Sequence, residues 1–524
     1  MMIILANRPW YNKNDVWVTG FIHSENRYLL KGELLNYFNE IDTLSSFENI
    51  LKTANGQFSV VMKKDNEIWA ATDRLRSWPL FYTSRKGEFI ISDDCYKLAE
   101  MQTDKQFDQD AVASFLATGY VLNKLTLIKN IYQVEAGSYV VLGNTAMSKF
   151  YHDVSRETIN DNDIKTGAEK SSELLQITFR NHLNALKDKF IAIPLSGGFD
   201  SRLVASMVAR YHPGNVLCYT YGIKDNKEVA PAKEVAKRLN LKWINIVYDS
   251  ELIKDFLHDD FFNKYYPFVS NLTSMFFMQE YFAVRYLKKY KLIPDDSVFI
   301  SGFSGDLLAG SYLTAKMKNQ MDREKISGLI FREYFRLVKL NKVEKASAIK
   351  MIGERIPDTV SEPWKIIEMW DIKERHAKFI VNSAKVFSFF GYDYVFPLWD
   401  NMLVDYFLNL PFSLKLNRRL YEYTLKEYFF KDLDLNLKDE INPLPLQKKF
   451  QRFKESIKTS IPVKIRDLFI NMQSPILYDE ITKILLEEID QKMIVPPAQP
   501  NYYNSYLTQW YLIKTQEHFN IRNP

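Results

Sequence analysis

The sequence predicts two domains, an α+β domain at the N-terminus followed by an α/β domain that carries a parallel sheet and a mostly helical C-terminal part. Length is the first observation, because 524 residues exceed what one ordinary core fills. The second is a change in hydrophobic pattern near residue 164. Before it, short alternating runs are separated by polar turns, the sign of half-buried strands. After it, helical periods alternate with short, nearly all-apolar runs, as in a parallel sheet covered on both faces.

In the first domain, placed at residues 1–155, the runs Phe58 to Met62, Ile68 to Ala71, Phe89 to Ser92 and Ser138 to Leu142 read as strands. A helix from about Asp108 to Leu116 interrupts them, and Glu135-Ala136-Gly137 reads as a turn. The second domain, placed at 164–524, opens with a helix from about Thr166 to Leu186 and a strand from Phe190 to Leu195. A glycine turn, a helix from Leu203 to Tyr211, a strand from Val216 to Tyr221, a helix from Val229 to Leu239 and a strand from Trp243 to Val247 follow. An aromatic stretch from Ser274 to Tyr290 reads as helix and leads to a strand from Ser297 to Ser301. The remainder reads as helical, with breaks at Pro443, Pro445 and Val495 to Pro500.

Composition narrows the function classes. Hydrophobic residues at 46% and aromatics at 15% support a packed globular enzyme rather than a disordered chain. Lys plus Arg exceed Asp plus Glu by 69 − 64 = 5, too small a bias to point to nucleic acid. Two cysteines without a CxxC spacing, Cys95 and Cys218, favour a reducing cytoplasm. The seven histidines lie far apart in sequence, so no zinc site is expected from spacing. The apolar start Met2 to Ala6 lacks the basic flank and length of a signal, and no run approaches the ~20 apolar residues of a membrane span, so a soluble, untargeted protein is expected.

The most informative segment is Pro194-Leu195-Ser196-Gly197-Gly198-Phe199-Asp200-Ser201, where a buried strand hands over to a helix. Unpaired N–H groups and the helix dipole make such a junction a phosphate site, and two glycines let the backbone approach closely. Ser196 and Ser201 offer hydroxyls, and Asp200 is an oxygen ligand of the kind magnesium takes. A tight turn with Asp200 or Ser201 capping a helix is the plainer reading of the same residues.

The segment resembles the S-G-G-x-D-S pyrophosphate loop of the adenine nucleotide alpha hydrolases and, over Pro194 to Ser201, the synthetase domain of the asparagine synthetase family. It lacks the G-K-[ST] ending of a Walker loop. Ser301-Gly302-Phe303-Ser304-Gly305-Asp306 is similar to the family's S-G-x-G-x-D stretch, and Phe396-Pro397-Leu398-Trp399-Asp400 to its P-F-L-D segment. Asn55-Gly56-Gln57-Phe58 and Asp73-Arg74-Leu75 leading to Pro79-Leu80-Phe81-Tyr82 resemble the class II glutaminase domain that precedes it.

This resemblance implies a degenerate class II glutaminase-like domain of stacked antiparallel sheets before an adenine nucleotide alpha hydrolase-like synthetase domain. It further implies ATP and Mg2+ as cofactors, cleavage of ATP between the α and β phosphates, and a carboxylate left as its adenylate. By the same resemblance Leu195, Ser196, Gly197, Gly198, Asp200, Ser201, Tyr221, Gly222, Ser301 and Gly302 bind nucleotide, and Asp200 with Asp306 hold magnesium. Tyr219 to Gly222 with Glu228 read equally as a core strand and a surface acid.

Two departures qualify the expectation. Class II glutaminases use an N-terminal cysteine, whereas Met1-Met2-Ile3-Ile4 opens this chain and no cysteine precedes Cys95, so no glutamine hydrolysis is expected. Phe303 stands where asparagine synthetases carry Glu and β-lactam synthetase Tyr, and phenylalanine cannot take a proton. Asp393 is then a candidate base, with a solvated loop acid as the plainer reading. The family lysine that stabilises developing negative charge is assigned to Lys448 ahead of Lys449, inside a basic run that also reads as a solvated face.

The expected activity is an AMP-forming amide ligase, a carbon-nitrogen ligase joining a small-molecule or peptide carboxylate to ammonia or an amine. An intramolecular peptide macrocyclase of lasso-peptide cyclase type is the alternative within the same chemistry. A non-catalytic nucleotide-binding relative and a tRNA-modifying relative are alternatives outside it. Neither nucleic acid nor membrane is expected as a partner, and a homo-oligomer is left open.

Overall fold

The computed structural model describes residues 1–152, 158–159, 162–212, 214–437, 476–498 and 503–521. Its N-terminal strands are β1 (Met2–Ile4), β2 (Tyr11–Lys13), β3 (Val16–Ser24) and β4 (Arg27–Leu29). After two helices come β5 (Gly56–Lys64), β6 (Glu67–Thr72), β7 (Phe81–Arg85) and β8 (Glu88–Ser92). Then follow β9 (Ile131–Gln133), β10 (Ser138–Leu142) and β11 (Ala146–Phe150). They form two sheets, one in the order β1-β8-β7-β9 and one in the order β11-β10-β6-β5-β3-β2 with β4 on β3. Alternating side chains of β5 and β10 fill two cores, Phe58, Val60 and Tyr139 on one face and Val61, Val140 and Leu142 on the other.

The predicted change of grammar is a change of sheet. Strands β12 (Ile191–Pro194), β13 (Val216–Gly222), β14 (Lys242–Val247) and β15 (Val298–Ile300) are crossed by helices. A small antiparallel pair, β16 (Met321–Asp322) and β17 (Thr359–Val360), lies beyond them, and β18 (Asp393–Val395) returns to the parallel sheet. That sheet runs β14-β13-β12-β15-β18, so the order reverses beside β12, between β13 and β15. An open α/β sheet binds ligand at the carboxyl ends of its strands at such a reversal.

One expectation fails in an instructive place. The helix assigned from Ser274 is confined to Tyr281–Lys289. Upstream, Val121 and Leu127 donate backbone hydrogen bonds to Thr273 and Leu272, and Met275 donates to Gly119. Those groups serve the N-terminal domain and are lost to a helix. The same contacts give the two domains one continuous core, in which Phe115 and Tyr120 pack with Phe276 and Tyr511. Among the described residues no helix is long and apolar enough to cross a membrane.

Candidate active site

The Ser196 loop opens on a cavity of about 500 Å³ at the carboxyl ends of β12, β13 and β15. Leu195, Ser196, Gly198, Asp200, Ser201, Tyr221, Ser301, Gly302 and Asp306 line it. Gly197 and Gly222 adjoin lining residues without lining the cavity themselves. The helix Phe199–Tyr211 has Gly198 as its N-cap, and its first backbone bond runs from Arg202 N–H to the Gly198 carbonyl at 3.2 Å. The earlier N–H groups therefore belong to the exposed start of the helix, where its dipole is positive.

Hydroxyls and a carboxylate hold the loop in shape. Ser196 N–H donates to Ser201 Oγ at 3.1 Å, and Gly198 N–H to Ser196 Oγ at 3.1 Å. Gly197 N–H donates to Glu228 Oε2 at 2.8 Å, so a carboxylate oxygen sits on a donor that the loop would offer to phosphate. On the far wall, the buried Ser301 Oγ has no hydrogen-bond partner and is a polar atom in want of a ligand.

The two predicted magnesium acids meet across a glycine cradle. A side chain on Gly305 would place its Cβ 2.2 Å from Asp200 Cγ, and one on Gly302 would lie 2.7 Å from Asp200 Cβ. Only glycine at both positions lets the Asp200 carboxylate settle beside the turn that carries Asp306. Loss of water around Asp200, then the Asp306 charge, pushes the Asp200 pKa up to about 7, with a hydrogen bond from Tyr421 Oη at 2.9 Å opposing the rise. Two carboxylates that line one cavity and feel one another's charge fit a hard divalent cation such as magnesium. Ser311 Oγ donates to Asp306 Oδ1 at 2.8 Å, and Arg418 Nη2 lies 3.8 Å from the same oxygen.

Two cavity residues, Glu280 and Arg418, and a third residue that supports Asp200 carry no signal in the motifs. Glu280 is buried in the wall, accepts a hydrogen bond from Tyr219 Oη at 2.6 Å, and has its pKa pushed up to about 7 by burial. Arg418 brings a cation from the left-handed turn Asn417–Arg418. Tyr421 steadies Asp200 from the following helix. The acid inside Phe276-Phe277-Met278-Gln279-Glu280-Tyr281-Phe282 was the available signal, because a carboxylate amid so many apolar residues is rarely idle. Phe303 also lines the cavity, edge-on to Phe396 with ring centres 5.5 Å apart.

Other assignments fall elsewhere. Asp393 pairs with Val298 at the start of β18, whereas the cavity lies past the opposite ends of these strands, after Ile300. It lines a separate cavity with Arg8, Lys189 and Tyr394, so the fold does not bring it to the nucleotide loop as a base. The reason is register, since a short parallel strand separates Asp393 from the carboxyl edge. Lys448 and the proline breaks at Pro443 and Pro445 lie outside the described residues.

Two of the segments resembling a glutaminase, Asn55 to Phe58 and Asp73 to Leu75, reach the seam between the domains through Asn55 and Arg74. Asp73 is buried and accepts from Phe58, Leu75 and Ser77 N–H groups, which ties the Asp73-Arg74-Leu75 turn to the Asn55–Phe58 segment. Asn55 Nδ2 donates to Asp400 Oδ2 at 2.8 Å, and Asn55 Oδ1 accepts from Asn401 N–H at 3.0 Å. Arg74 Nη1 reaches Asp405 Oδ1 at 2.9 Å. Asn55 and Arg74 thus bind the neighbouring domain.

Comparison with known proteins agrees with both halves. Residues 170–434 match the asparagine synthase family, and residues 43–152 match the glutamine amidotransferase domain. An asparagine synthetase [glutamine-hydrolyzing] 1 from Bacillus subtilis (strain 168) is 24% identical over 279 residues, covering 51% of this chain and 41% of that protein. A probable asparagine synthetase [glutamine-hydrolyzing] from Acanthamoeba polyphaga mimivirus is 27% identical over 221 residues, covering 41% of this chain and 38% of that protein. The matches thus span about two fifths of those relatives' length. Among solved structures, an NH3-dependent NAD synthetase from Campylobacter jejuni aligns over 29% of this chain and 61% of its own at 20% identity, with a TM-score of 0.19, too low to bear on the argument. A glutaminase-like domain precedes a synthetase domain whose loop, glycine cradle and paired acids surround one cavity, and the chain belongs to the asparagine synthase family.

Proposed function

We propose that this protein is an ATP-dependent ligase that activates a carboxylate as its adenylate and passes the acyl group to ammonia or an amine, without hydrolysing glutamine. One observation carries the reading: the Ser196–Ser201 loop, the Asp200–Asp306 pair and Arg418 line the same cavity. The substrate carboxylate oxygen attacks the α-phosphorus of ATP, the bond to the bridging oxygen breaks, and pyrophosphate leaves. The amine then attacks the activated carbonyl, AMP departs, and the amine gives up a proton.

Asp200 and Asp306 would hold magnesium, which screens the charge of the phosphates when bound. The chain's own groups do the rest. The helix start and the Ser196, Ser201 and Ser301 hydroxyls supply donors to phosphate oxygens. Arg418 adds a cation on the same wall. Tyr221, stacked on Tyr248 at 5.6 Å and 12°, offers an aromatic surface to the base.

Phe303 leaves the amine's proton without the acceptor that relatives carry. Glu280 is our candidate. Glu228 is engaged with the loop and the two aspartates with magnesium, whereas Glu280 is a buried carboxylate whose pKa, pushed up to about 7, suits a general base near neutrality.

Glutamine hydrolysis is not supported by the thiols present. Cys95 and Cys218 are both buried; burial raises each pKa, that of Cys218 to about 12, so neither is a ready thiolate. With Asn55 and Arg74 committed to the seam, ammonia or an amine-bearing substrate is the nitrogen source we assign.

The test is pyrophosphate release from magnesium-ATP with panels of carboxylates and amines, glutamine being compared with ammonium. The reading requires release that depends on a carboxylate, is supported by ammonium or an amine, and disappears in Asp200→Ala. Binding of ATP without any release would establish a non-catalytic relative instead. Release of glutamate from glutamine would overturn the assigned nitrogen source.

A further inference from the structure

At the seam, three metal-ligating side chains from distant parts of the sequence converge. His23 lies in β3, His182 in the helix Ile164–Ala185, and Asp400 caps the helix Asn401–Asn409. All three are buried, and their ligand atoms lie within 4.8 Å of one another. We propose that His23, His182 and Asp400 bind a divalent transition-metal cation, zinc foremost, that staples the N-terminal domain to the synthetase domain.

The distances match those between the ligands of one small cation. His23 Nδ1 and His182 Nε2 lie 3.2 Å and 3.3 Å from Asp400 Oδ2. Ligands about 2.0–2.1 Å from a tetrahedral zinc are about 3.3 Å from one another. His182 Nε2 is buried, and its near neighbour among polar atoms is that carboxylate oxygen, to which it is not aligned as a hydrogen-bond donor. The imidazole rings stack at 3.9 Å and 25° beside Asp400, so binding a common ion requires them to splay apart by about 1 Å.

The surrounding contacts orient the ligands. Tyr28 Oη lies 2.7 Å from His182 Nδ1, which leaves Nε2 as the metal face. Asp400 Oδ1 accepts from Met402 N–H at 3.0 Å, and Oδ2 accepts from Asn55 Nδ2 at 2.8 Å. A void of about 10 Å³ adjoins the three ligands. It is about the least space that admits one water. Gln57 lines it with both side-chain polar atoms unpartnered, and His23 Nε2 is unpartnered as well. The fourth coordination position can therefore be filled by a water or by Gln57 Oε1. Two imidazoles and one carboxylate are a zinc-type donor set, unlike the all-oxygen magnesium set of the cavity.

The seam also touches the active site. Trp399, next to Asp400, stacks on His376 at 5.4 Å, and His376 Nε2 lies 2.9 Å from Ser304 Oγ in the turn that carries Asp306. This proposal stands independently of the ligase reading and is tested without an activity assay.

The full-length protein, produced without a metal-binding tag and dialysed against metal-free buffer, should retain about one zinc per chain by mass spectrometry of the elements. His182→Gln and His23→Gln, checked for native circular dichroism, should each lose it. Tyr28→Phe should keep the fold and weaken zinc affinity by about tenfold. Cobalt added to the chelator-stripped protein should give the visible d–d absorption of a low-symmetry site, and that absorption should be absent from the histidine variants. Metal-free protein that neither takes up zinc nor shows the cobalt absorption would overturn the proposal, as would undiminished zinc in both histidine variants.

Discussion

Asp200 and Asp400 both sit at helix starts facing a cluster of polar groups, yet their surroundings push them in opposite directions. Asp200 faces another acid, and lost hydration together with Asp306 lifts its pKa to about 7. Asp400 is buried too, but it faces two imidazoles and the Asn55 amide, whose attraction outweighs burial and holds it well below the carboxylate range. The first environment is short of positive charge, which an incoming ligand can supply. The second is already supplied with donors from both domains and serves to hold the architecture together. The same side chain thus marks a binding cavity at one place and a clasp at the other.

Four variants sharpen the contrast. Gly305→Ala, whose new Cβ would collide with the Asp200 carboxylate, should lower pyrophosphate release by about a hundredfold in a protein that melts as a folded unit. Wild-type rates would show that Asp200 need not lie on the cradle. Arg418→Ala should raise the ATP concentration at half saturation roughly tenfold, through loss of a charged hydrogen-bond donor in the cavity, with little change in stability.

At the seam the reverse pattern is expected. Asn55→Ala removes contacts to Asp400 and to Asn401 N–H and should destabilise the protein by roughly 1–3 kcal/mol in chemical denaturation, while the affinity for ATP stays unchanged. A variant that unfolds normally but binds ATP poorly would erase the distinction between clasp and cavity.

The smallest effect concerns pH. Burial raises the Glu280 pKa from 4.5 to about 7, so its contribution to stability is full below 4.5 and is lost as pH rises through 7. Glu280→Gln should flatten that decline in melting temperature. As a general base Glu280 works deprotonated, so ligase activity should rise through pH 7 in the wild type and lose that limb in the variant.

What was legible in the sequence follows the same division. The Ser196–Ser201 loop and the Ser301–Asp306 turn are contiguous, and the strand–turn–helix grammar that positions them depends on local periodicity. Glu280 was hidden because the aromatic run Ser274–Tyr290 has a helical pattern, while backbone pairing with the N-terminal domain unwinds its first half. Arg418 owes its place to a left-handed turn with no glycine to announce it. His23, His182 and Asp400 share no spacing at all, and only the packing of two domains brings them together. Asp393 was misplaced for a related reason, since proximity to a motif in sequence says nothing about which edge of a strand a residue occupies.

The glycine cradle has a mechanical consequence. Because Asp200 fills the room that side chains on Gly302 and Gly305 would take, the loop helix and the Asp306 turn mesh like teeth. Neither can slide past the other without withdrawing a carboxylate. Any opening or closing of this cavity must then carry both acids as one block, so the separation between them is preserved through the stroke.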